Sequence, residues 1–469
     1  MKFVIVGGGI SGWLSALIFS HRKPNHEYVI IESSDVNTIG VGEGTTGLFV
    51  QTIEQLPDIN VAEFIRETKA TPKIGIEFNN WSGKGSTFFN PIDGTLTTNE
   101  DFDSFLYFTY IQNSSLDTSS LHGLLKRKNK SPYTEKLKDY NSALHLDNKL
   151  TIQYLKSKSL KRKNIKYISD TVSKIERDET GKVEKIICSN NIIEGDIFID
   201  CTGYSRIFSE KSDWVSFKNN LPMNSVTTFT RKHNVSMVTK ADKLNLGWCW
   251  QIPTQERIGC GYVSCDQWGN SVIDEIKSNY PDAEILKSFK FDSGKLKKSW
   301  NHNVISLGLA YHFLEPLQAT NIHLTLVQID ILCQRCIRQT KDRTINPDVI
   351  SIYNKHIDNL IEDFKNFINI HYSRDSRVTL TDYNKKIISL LKVRGLFFED
   401  LPQLYGCSGI GLWGHTLLGL NHLTKQECHN FLSEMNLYEE VKEISSELQT
   451  IFKNTSFISY QELIKKLSI

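Results

Sequence analysis

The sequence predicts an α/β fold over its first two thirds and a mainly helical region after it. The apolar run "KFVIV" leads through a glycine-rich turn into a helix-like segment, which is the repeating unit of a parallel sheet. Over residues 345–372, apolar residues recur at helical spacing, with Asn346 as a cap and Pro347 at the first helical position. We therefore expect an α/β core over 1–330 and a helical region over 331–469.

The composition is that of an ordinary globular chain and argues against nucleic acid and membrane as partners. The net charge is only +2 over 469 residues, whereas phosphate binding usually shows as a clear basic excess. No run approaches the roughly 20 apolar residues of a membrane helix, and the N-terminus lacks the features of a signal peptide. The nine cysteines have no framework spacing, which indicates a reducing, cytoplasmic setting. We interpret the single C-x-x-C, Cys333 and Cys336, as two buried thiols on successive helix turns, and no metal site is expected.

The first fifty residues carry the pattern of a dinucleotide site. Gly7, Gly9 and Gly12 form G-x-G-x-x-G between the first strand and the first helix. The first glycine permits the tight turn, the second lets a pyrophosphate approach the backbone, and the third lets helix pack on strand. A second strand, "EYVIIES", reaches Glu32 about 20 residues beyond Gly12, where an acid would bind a ribose hydroxyl. These elements predict a Rossmann-like nucleotide-binding fold.

A second G-x-G-x-x-G, at Gly409, Gly411 and Gly414, follows no strand-like run, so we interpret it as a turn into a helix or a pocket wall. One dinucleotide site cannot hold both a flavin and a nicotinamide. The strand-like segments 195–208 and 303–323 favour FAD, because in two-dinucleotide-fold flavoproteins such late strands return to the first sheet and close over the flavin.

The segment "GWCWQIP" (247–253) is the most specific signal in the chain. Its W-x-W-x-I-P pattern resembles the signature of flavin-dependent halogenases of the tryptophan-halogenase type. Three other segments resemble the same family in the same order, and the resemblance runs from residue 1 to about 325 and weakly to about 375. These segments are "GGGISGW" with Trp13, "IGVGEGT" (39–45) and "PKIGIEFNNW" (72–81) with Lys73.

The resemblance implies a flavoprotein monooxygenase/halogenase core with a mainly helical substrate-binding part. Trp248, Trp250 and Ile252 alternate along an extended chain and so share one face, which ends at Pro253. By resemblance, this face is a wall that separates the flavin from the substrate, with Lys73 beyond it. The expected FAD contacts are the glycines of the first turn, Trp13, Glu32, Gly42, Glu43, Thr45 and Gly308.

The resemblance also implies the chemistry. Reduced FAD, O2 and a halide give hypohalous acid, which reaches Lys73. The lysine either hydrogen-bonds the acid or becomes a haloamine, and presents electrophilic halogen to an aromatic ring. A buried lysine suits this role because desolvation lowers its pKa.

The chain departs from the family in the segment "EPLQAT" (315–320). Gln318 stands where a glutamate is usual, and an amide cannot act as a base, so Glu315 is a candidate substitute. The resemblance implies that the halide binds to the backbone N–H groups of a Thr-Gly pair, which Thr320 and Asn321 match here. Asparagine tolerates the left-handed conformation better than other non-glycine residues, so we expect this site to be kept.

We expect an FADH2-dependent halogenase that acts on a phenol-like or indole-like molecule, favours bromide or iodide, uses free tryptophan poorly and needs a separate NAD(P)H-dependent flavin reductase. The alternatives are a related flavin monooxygenase without halogenation and a degenerate FAD-binding protein. A homodimer or a larger homo-oligomer is possible, and the sequence does not decide the oligomeric state. The residues expected to line the substrate pocket, though each is also suited to core packing, are Phe397, Phe398, Tyr405, Trp413 and His415.

Overall fold

A computed structural model describes residues 1–35, 42–92, 104–112, 116–234, 236–338, 346–401 and 410–467. Its strands are β1 (Lys2–Val6), β2 (Glu27–Glu32), β3 (Glu43–Gly44), β4 (Thr71–Lys73), β5 (Gly75–Asn79), β6 (Thr87–Pro91), β7 (Lys130–Thr134), β8 (Ala143–Leu146), β9 (Ile165–Ser169), β10 (Val172–Arg177), β11 (Val183–Cys188), β12 (Ile192–Glu194), β13 (Ile197–Asp200), β14 (Trp214–Ser216), β15 (Ser225–Lys232), β16 (Val238–Lys243), β17 (Gly247–Pro253), β18 (Arg257–Ser264), β19 (Glu284–Lys290), β20 (Gly294–Leu296), β21 (Trp300–Asn301), β22 (Val304–Ser306), β23 (His312–Phe313) and β24 (Phe457–Ser459).

Its α-helices are α1 (Ile10–Arg22), α2 (Gly47–Glu54), α3 (Val61–Thr68), α4 (Ser104–Gln112), α5 (Leu121–Arg127), α6 (Asn148–Ser159), α7 (Ser271–Asn279), α8 (Thr320–Ile331), α9 (Pro347–His371), α10 (Asp382–Arg394), α11 (Ile410–Gly419), α12 (Lys425–Glu434), α13 (Tyr438–Asn454) and α14 (Tyr460–Leu467). Within these described ranges, none of the helices combines the length and the apolar character that a membrane crossing requires.

A six-stranded sheet in the order β21-β22-β13-β1-β2-β9 forms the first half of the fold. From β22 to β9 its strands run parallel, and β21 is an antiparallel edge. β13 pairs with β1, and β22 pairs with β13. The prediction that the two late segments return to the first sheet is therefore confirmed. The carboxyl ends of β1, β13 and β22 meet at one edge, where α/β folds bind their ligands.

A seven-stranded sheet in the order β19-β15-β18-β17-β16-β5-β6 forms the second half. Every residue of its central strand, β17, is buried. Trp248, Trp250 and Ile252 belong to the largest apolar cluster of the molecule, whereas Cys249 belongs to a separate cluster with Tyr262. This division into two faces confirms the predicted alternation along "GWCWQIP".

A small sheet, β3-β8-β4, connects the two halves. β8 pairs with β3 on one side and with β4 on the other, so it holds Glu43–Gly44 and Lys73 in one layer. Because β5 starts only two residues after β4 ends, Lys73 lies at the junction of the small sheet and the seven-stranded sheet.

The helical part of the chain begins as predicted. The Asn346 side chain accepts a hydrogen bond from the Asp348 N–H at 2.8 Å and caps α9, with Pro347 as its first residue. The helix buries the apolar stripe that the periodicity indicates, namely Tyr353, Ile357, Leu360, Phe364 and Phe367.

The helical region shares its core with earlier segments of the chain. α4 packs against α12, and β24 pairs with β7, so residues on both sides of position 330 are interleaved. The prediction of two buried thiols was wrong for one of them. Cys333 is buried, but Cys336 is only half-buried, because the chain forms a π-helical turn over Leu332–Cys336 that rotates the second cysteine outward.

Candidate functional site

A cavity of about 390 Å³ lies where the two large sheets meet. Residues that follow β1, β13 and β22 line one side of it, and residues of β16, β17 and β18 line the other. Of the sequence-predicted site residues, the cavity brings together Gly9, Gly42, Glu43, Lys73, Trp248, Trp250, Ile252, Gly308 and Asn321.

The glycine turn has the three properties that a dinucleotide requires. A side chain at Gly7, which has φ of 116°, would lie 2.3 Å from the Cys201 carbonyl oxygen. A side chain at Gly12 would lie 1.9 Å from the Gly7 oxygen, so both positions are closed by packing. A side chain at Gly9 would meet no other atom within 4 Å, and Gly9 precedes α1 without a side-chain cap. The free N–H groups of the helix therefore face open space that fits a diphosphate.

The two other residues predicted near this turn lie outside the cavity lining. Glu32 contacts Gly8, and its carboxylate accepts hydrogen bonds from the Lys156 amine at 2.5 Å and from the Tyr167 hydroxyl at 3.1 Å. Trp13 lies behind the turn in the core, with its ring 5.9 Å from that of Tyr167. The structure therefore gives Trp13 a packing role.

Lys73 ends β4 with its side chain almost completely buried. Its amine donates a hydrogen bond to the Thr45 carbonyl oxygen at 3.0 Å, and a side chain at Gly44 would lie 2.9 Å from the same amine. Thr45 itself is held to β8, because its hydroxyl accepts from the Leu144 N–H at 2.9 Å. Burial lowers the pKa of Lys73 to about 7, so a large share of the amine is neutral near neutral pH.

A neutral histidine stands beside the lysine. The two ring nitrogens of His145 bond the hydroxyls of Thr71 at 3.0 Å and Thr239 at 2.8 Å. Burial, and then the charge of Lys73, lower the pKa of His145 well below its usual value. The surroundings of Lys73 thus contain neutral partners, which keeps its ammonium form disfavoured.

The aromatic face of β17 forms one side of the cavity. The indoles of Trp248 and Trp250 lie 6.0 Å apart at an angle of 55°, and Ile252 continues the face toward Gly42. Pro253 ends the strand, and its carbonyl oxygen accepts from the Thr71 hydroxyl at 2.7 Å. This arrangement gives the bulky residues of "GWCWQIP" a shared surface.

The position of Lys73 beyond this wall stays a prediction. Lys73 borders the same cavity as Gly9 and the two indoles. The pairing of β8 with both β3 and β4 places the amine beside Gly44. What lies behind Trp248 is Trp81, whose ring centre is 6.1 Å away, followed by His371 and Tyr372.

Glu315 and Gln318 lie in this second layer. The Tyr372 hydroxyl donates to the carboxylate of the completely buried Glu315. Burial raises the pKa of Glu315 to about 7, while Tyr372 and the nearby Trp248 indole act in the opposite direction. A buried carboxyl that ionises near neutral pH is suited to accept a proton.

Gln318 has a different partner. Its amide nitrogen lies 2.9 Å from Nε2 of His371, whose Nδ1 lies 2.8 Å from the Phe367 carbonyl oxygen. Burial lowers the pKa of His371 to about 4, so the ring is neutral. Its Nδ1–H then donates to Phe367, and its Nε2 accepts from the Gln318 amide. The carboxylate of a glutamate at 318 would place an acceptor against the acceptor Nε2 of His371. The amide of Gln318 donates to Nε2 instead, which explains how this chain accommodates glutamine.

The expected halide position is the N-terminus of α8, and its backbone differs from the prediction. The left-handed residue is Ala319, with φ of 57° and ψ of 38°, and not Asn321. The reason is that α8 already begins at Thr320, which places Asn321 in the first helical turn. The first N–H groups of a helix have no acceptor within it, and Asn321 borders the cavity, so these groups can receive an anion there.

Sequence reasoning missed several residues of the site. Tyr204, Phe289, Phe291 and Phe313 line the cavity as an aromatic group, but they come from three separate segments with no common motif. His371 and Tyr372 do stand together in "FINIHY", and a polar pair at the end of an apolar helix could have drawn attention to them.

The predicted pocket residues of the helical region lie elsewhere. Trp413 is buried with its ring 5.2 Å from that of Phe367, and His415 lies 2.8 Å from the Ser119 hydroxyl. The Phe397 ring packs under Arg394, whereas Phe398 is exposed. Tyr405 and Gly409 lie outside the described residues. Phe397, Trp413 and His415 therefore pack the helical region, and neither they nor Phe398 line the cavity.

Comparison with known proteins adds independent evidence. The family model described as tryptophan halogenase matches residues 2–405. The tryptophan 7-halogenase RebH of Lentzea aerocolonigenes is 24% identical over 409 residues, which covers 79% of this chain and 76% of RebH.

Solved structures give the same fold over the whole chain. Tar14, a tryptophan C-6 flavin-dependent halogenase from taromycin biosynthesis, superposes with a TM-score of 0.85 at 21% identity, covering 100% of both chains. A tryptophan halogenase from Shewanella frigidimarina superposes with a TM-score of 0.85 at 22% identity, covering 100% of this chain and 97% of its own.

Proposed function

Because the chain belongs to the tryptophan halogenase family, we propose that it halogenates an electron-rich aromatic small molecule through Lys73. The observation that carries the proposal is that one cavity brings together an open glycine turn, the aromatic face of β17 and a buried lysine whose pKa is lowered to about 7. The family also supports FADH2, O2 and halide as co-reactants and a separate flavin reductase as partner.

The residues present fit FAD in this cavity. The diphosphate would lie over Gly9 at the N-terminus of α1, where the backbone leaves open space. Glu43, Asn148 and Gly308 line the part of the cavity beyond the turn. When bound in reduced form, FAD would supply the two electrons that activate O2, so that one oxygen atom oxidises the halide to hypohalous acid and the other leaves as water. The aromatic lining near Tyr204 and Phe313, whose rings meet edge to face, suits contact with a planar ring system.

Lys73 would then carry the halogen. Its neutral amine attacks the halogen of the hypohalous acid, so that an N–halogen bond forms, the oxygen–halogen bond breaks, and hydroxide leaves and takes the amine proton as water. The hydrogen bond to the Thr45 carbonyl oxygen fixes the direction of the nitrogen lone pair. Burial, with a neutral His145 beside it, keeps a large share of the amine deprotonated near neutral pH.

Glu315 would accept the proton that the aromatic ring loses when the halogen is transferred. Gln318 cannot take it, because its amide is bonded to a neutral histidine and has no basic atom of suitable pKa. The Glu315 carboxyl ionises near pH 7 and lies with Tyr372 next to Trp248. Glu315 lies one layer behind the residues that line the cavity. The ring proton must therefore travel farther to Glu315 than it would to a base in the cavity lining. Phenol-like and indole-like rings, which lose a proton readily, should therefore be the best substrates.

One experiment tests the whole proposal. The purified protein is mixed with FAD, a separate flavin reductase, NADH, bromide and a phenol, and products are analysed by mass spectrometry. We expect a product with the isotope pattern of bromine that requires the protein. Formation of a hydroxylated product without bromine would favour the monooxygenase alternative, and absence of any turnover with FAD bound would favour the degenerate flavoprotein.

A further inference from the structure

Trp250 lies flat across a glycine of the neighbouring strand. In the register of β17 and β18, Trp250 is paired with Gly261. A methyl group added at Gly261 would lie only 2.0 Å and 2.1 Å from the outer ring atoms Cζ2 and Cη2 of Trp250. The indole therefore occupies the space that any other residue at 261 would fill.

The orientation of this indole depends on packing alone. Its Nε1–H is buried and has no hydrogen-bond partner among the described residues. Its ring is held by Trp248 on one side, at 6.0 Å, and by the bare backbone at Gly261 beneath it. Indole is a rigid ring on two torsions, so it cannot bend around an obstacle as a flexible side chain would.

A side chain at 261 would displace the Trp250 ring at the edge of the cavity. The indole packs on Gly261 of β18 and beside Trp248, and it also lines the cavity, which is the empty space next to the ring. The cavity, of about 390 Å³, is lined both by Gly9 of the glycine turn and by Lys73. A displaced ring would therefore narrow the space through which a small oxidant travels toward Lys73.

We propose that Gly261 is the positioning residue that fixes Trp250, and that this keeps the route from the glycine turn to Lys73 open. The proposal rests on the proposed halogenation for its consequence, but the position of the ring is a separate property. With Gly261 in place, hypohalous acid formed in the cavity reaches Lys73 before it escapes. With a larger residue, its arrival is delayed and more of it leaves the protein.

The first test concerns the ring and needs no halogenation. Two indoles 6.0 Å apart at 55° are expected to give an exciton-coupled circular dichroism signal that depends on their angle. We expect Gly261→Ala to change this signal while Cys260→Ala leaves it unchanged, because Cys260 points to the opposite face of the same strand. An unchanged signal in Gly261→Ala, with thermal unfolding showing a folded protein, would overturn the assignment.

The second test measures the route. An excess of a soluble amine in the buffer captures hypohalous acid that escapes, and the ratio of captured halogen to halogenated substrate is determined. We expect this ratio to rise several-fold in Gly261→Ala and to stay at the wild-type value in Cys260→Ala. If the wild type gives neither captured halogen nor product, the proposed function fails, and the dichroism still decides the role of Gly261.

A double variant separates positioning from a general loss of stability. Phenylalanine lacks the outer ring atoms that a side chain at 261 would meet. Gly261→Ala should therefore add little to the ratio in a Trp250→Phe background, although it has a large effect in the wild-type background. Equal effects of Gly261→Ala in both backgrounds would show that it acts through something other than the Trp250 ring.

Discussion

At the scale of single residues, the proposed chemistry depends on Lys73 and Glu315, whose pKa values burial brings close together. Burial lowers the pKa of Lys73 to about 7 and raises the pKa of Glu315 to about 7. A nucleophilic amine and a proton acceptor are thereby both available in the same pH range. The lowered pKa of Lys73 was expected from burial, whereas the raised pKa of Glu315 was not, because the burial of that carboxyl depends on segments far away in the chain, such as the one that contains Tyr372.

Replacing Lys73 by alanine should abolish halogenated product while FAD still binds. The amine is the proposed halogen carrier, whereas the glycine turn that fits FAD belongs to other elements. Product is measured by mass spectrometry and FAD binding by fluorescence titration. Lys84→Ala, which changes an exposed lysine, is the matched control. Product from Lys73→Ala at a rate near wild type would contradict the assigned role.

The rate should rise with pH through about 7. Raising the pH converts Lys73 into its neutral amine and Glu315 into its carboxylate, so both changes increase the reactive population. Glu315→Gln should lower kcat by about 100-fold, which is the lower end of the effect of losing a general base. The pH–rate profile of this variant should keep the rise that is due to Lys73.

Tyr372→Phe provides a sharper control for this pH profile. The variant keeps the ring but removes the hydroxyl that donates to the Glu315 carboxylate. Since that hydrogen bond favours the ionised form, its loss should raise the pKa of Glu315 and move its limb to higher pH. A profile identical to wild type in both variants would show that Glu315 takes no part in catalysis.

At the scale of secondary-structure elements, the sequence was informative where a pattern is local. The first strand, turn and helix, the alternation along β17 and the cap of α9 are each contained in a short segment, and each was predicted correctly. The start of α8 was not, because asparagine was assigned the left-handed position that Ala319 occupies. The pairing of β8 with both β3 and β4 joins segments far apart in the chain and has no local signal.

The N-terminus of α8 should determine the affinity for halide. Asn321→Asp preserves the shape of the side chain but adds a negative charge to the first turn, where the cavity meets the helix. We expect the KM for halide to increase at least tenfold, whereas the thermal stability should be unchanged or slightly higher, since an acid near a helix N-terminus is favourable. Halide titrations and thermal unfolding measure the two effects. A KM that does not change would place the halide elsewhere.

At the scale of the whole molecule, the fold provides one cavity of this kind for a dinucleotide among the described residues. If FAD occupies it, the described residues offer a nicotinamide cofactor no second Rossmann-like turn. The match of Gly411 and Gly414 to a glycine motif does not provide one, because both lie inside α11 and not between a strand and a helix. The family assignment through W-x-W-x-I-P was confirmed, since the family model matches residues 2–405.

The protein alone should therefore not oxidise NADH. Stopped-flow absorbance of the FAD-loaded protein mixed with NADH should show no bleaching of the flavin until a flavin reductase is added. Once flavin reduced by the separate reductase is supplied, product should form. Rapid bleaching by NADH without reductase would show that a nicotinamide site exists and that the single-cavity interpretation is wrong.

The junction between β4 and β5 has a consequence for redesign. Lys73 ends one sheet, Ile74 follows, and Gly75 begins another, and both backbone groups of Ile74 are hydrogen-bonded, to Met237 and to Ile92 at 2.9 Å. The Lys73 amine therefore lies at the junction of two sheets, close to the axis about which one sheet would rotate against the other. A small rotation of one layer against the other would move distant loops by a large amount and the amine by very little. The sequences of these distant loops can therefore change, in evolution or in the laboratory, while the Lys73 nitrogen keeps its position.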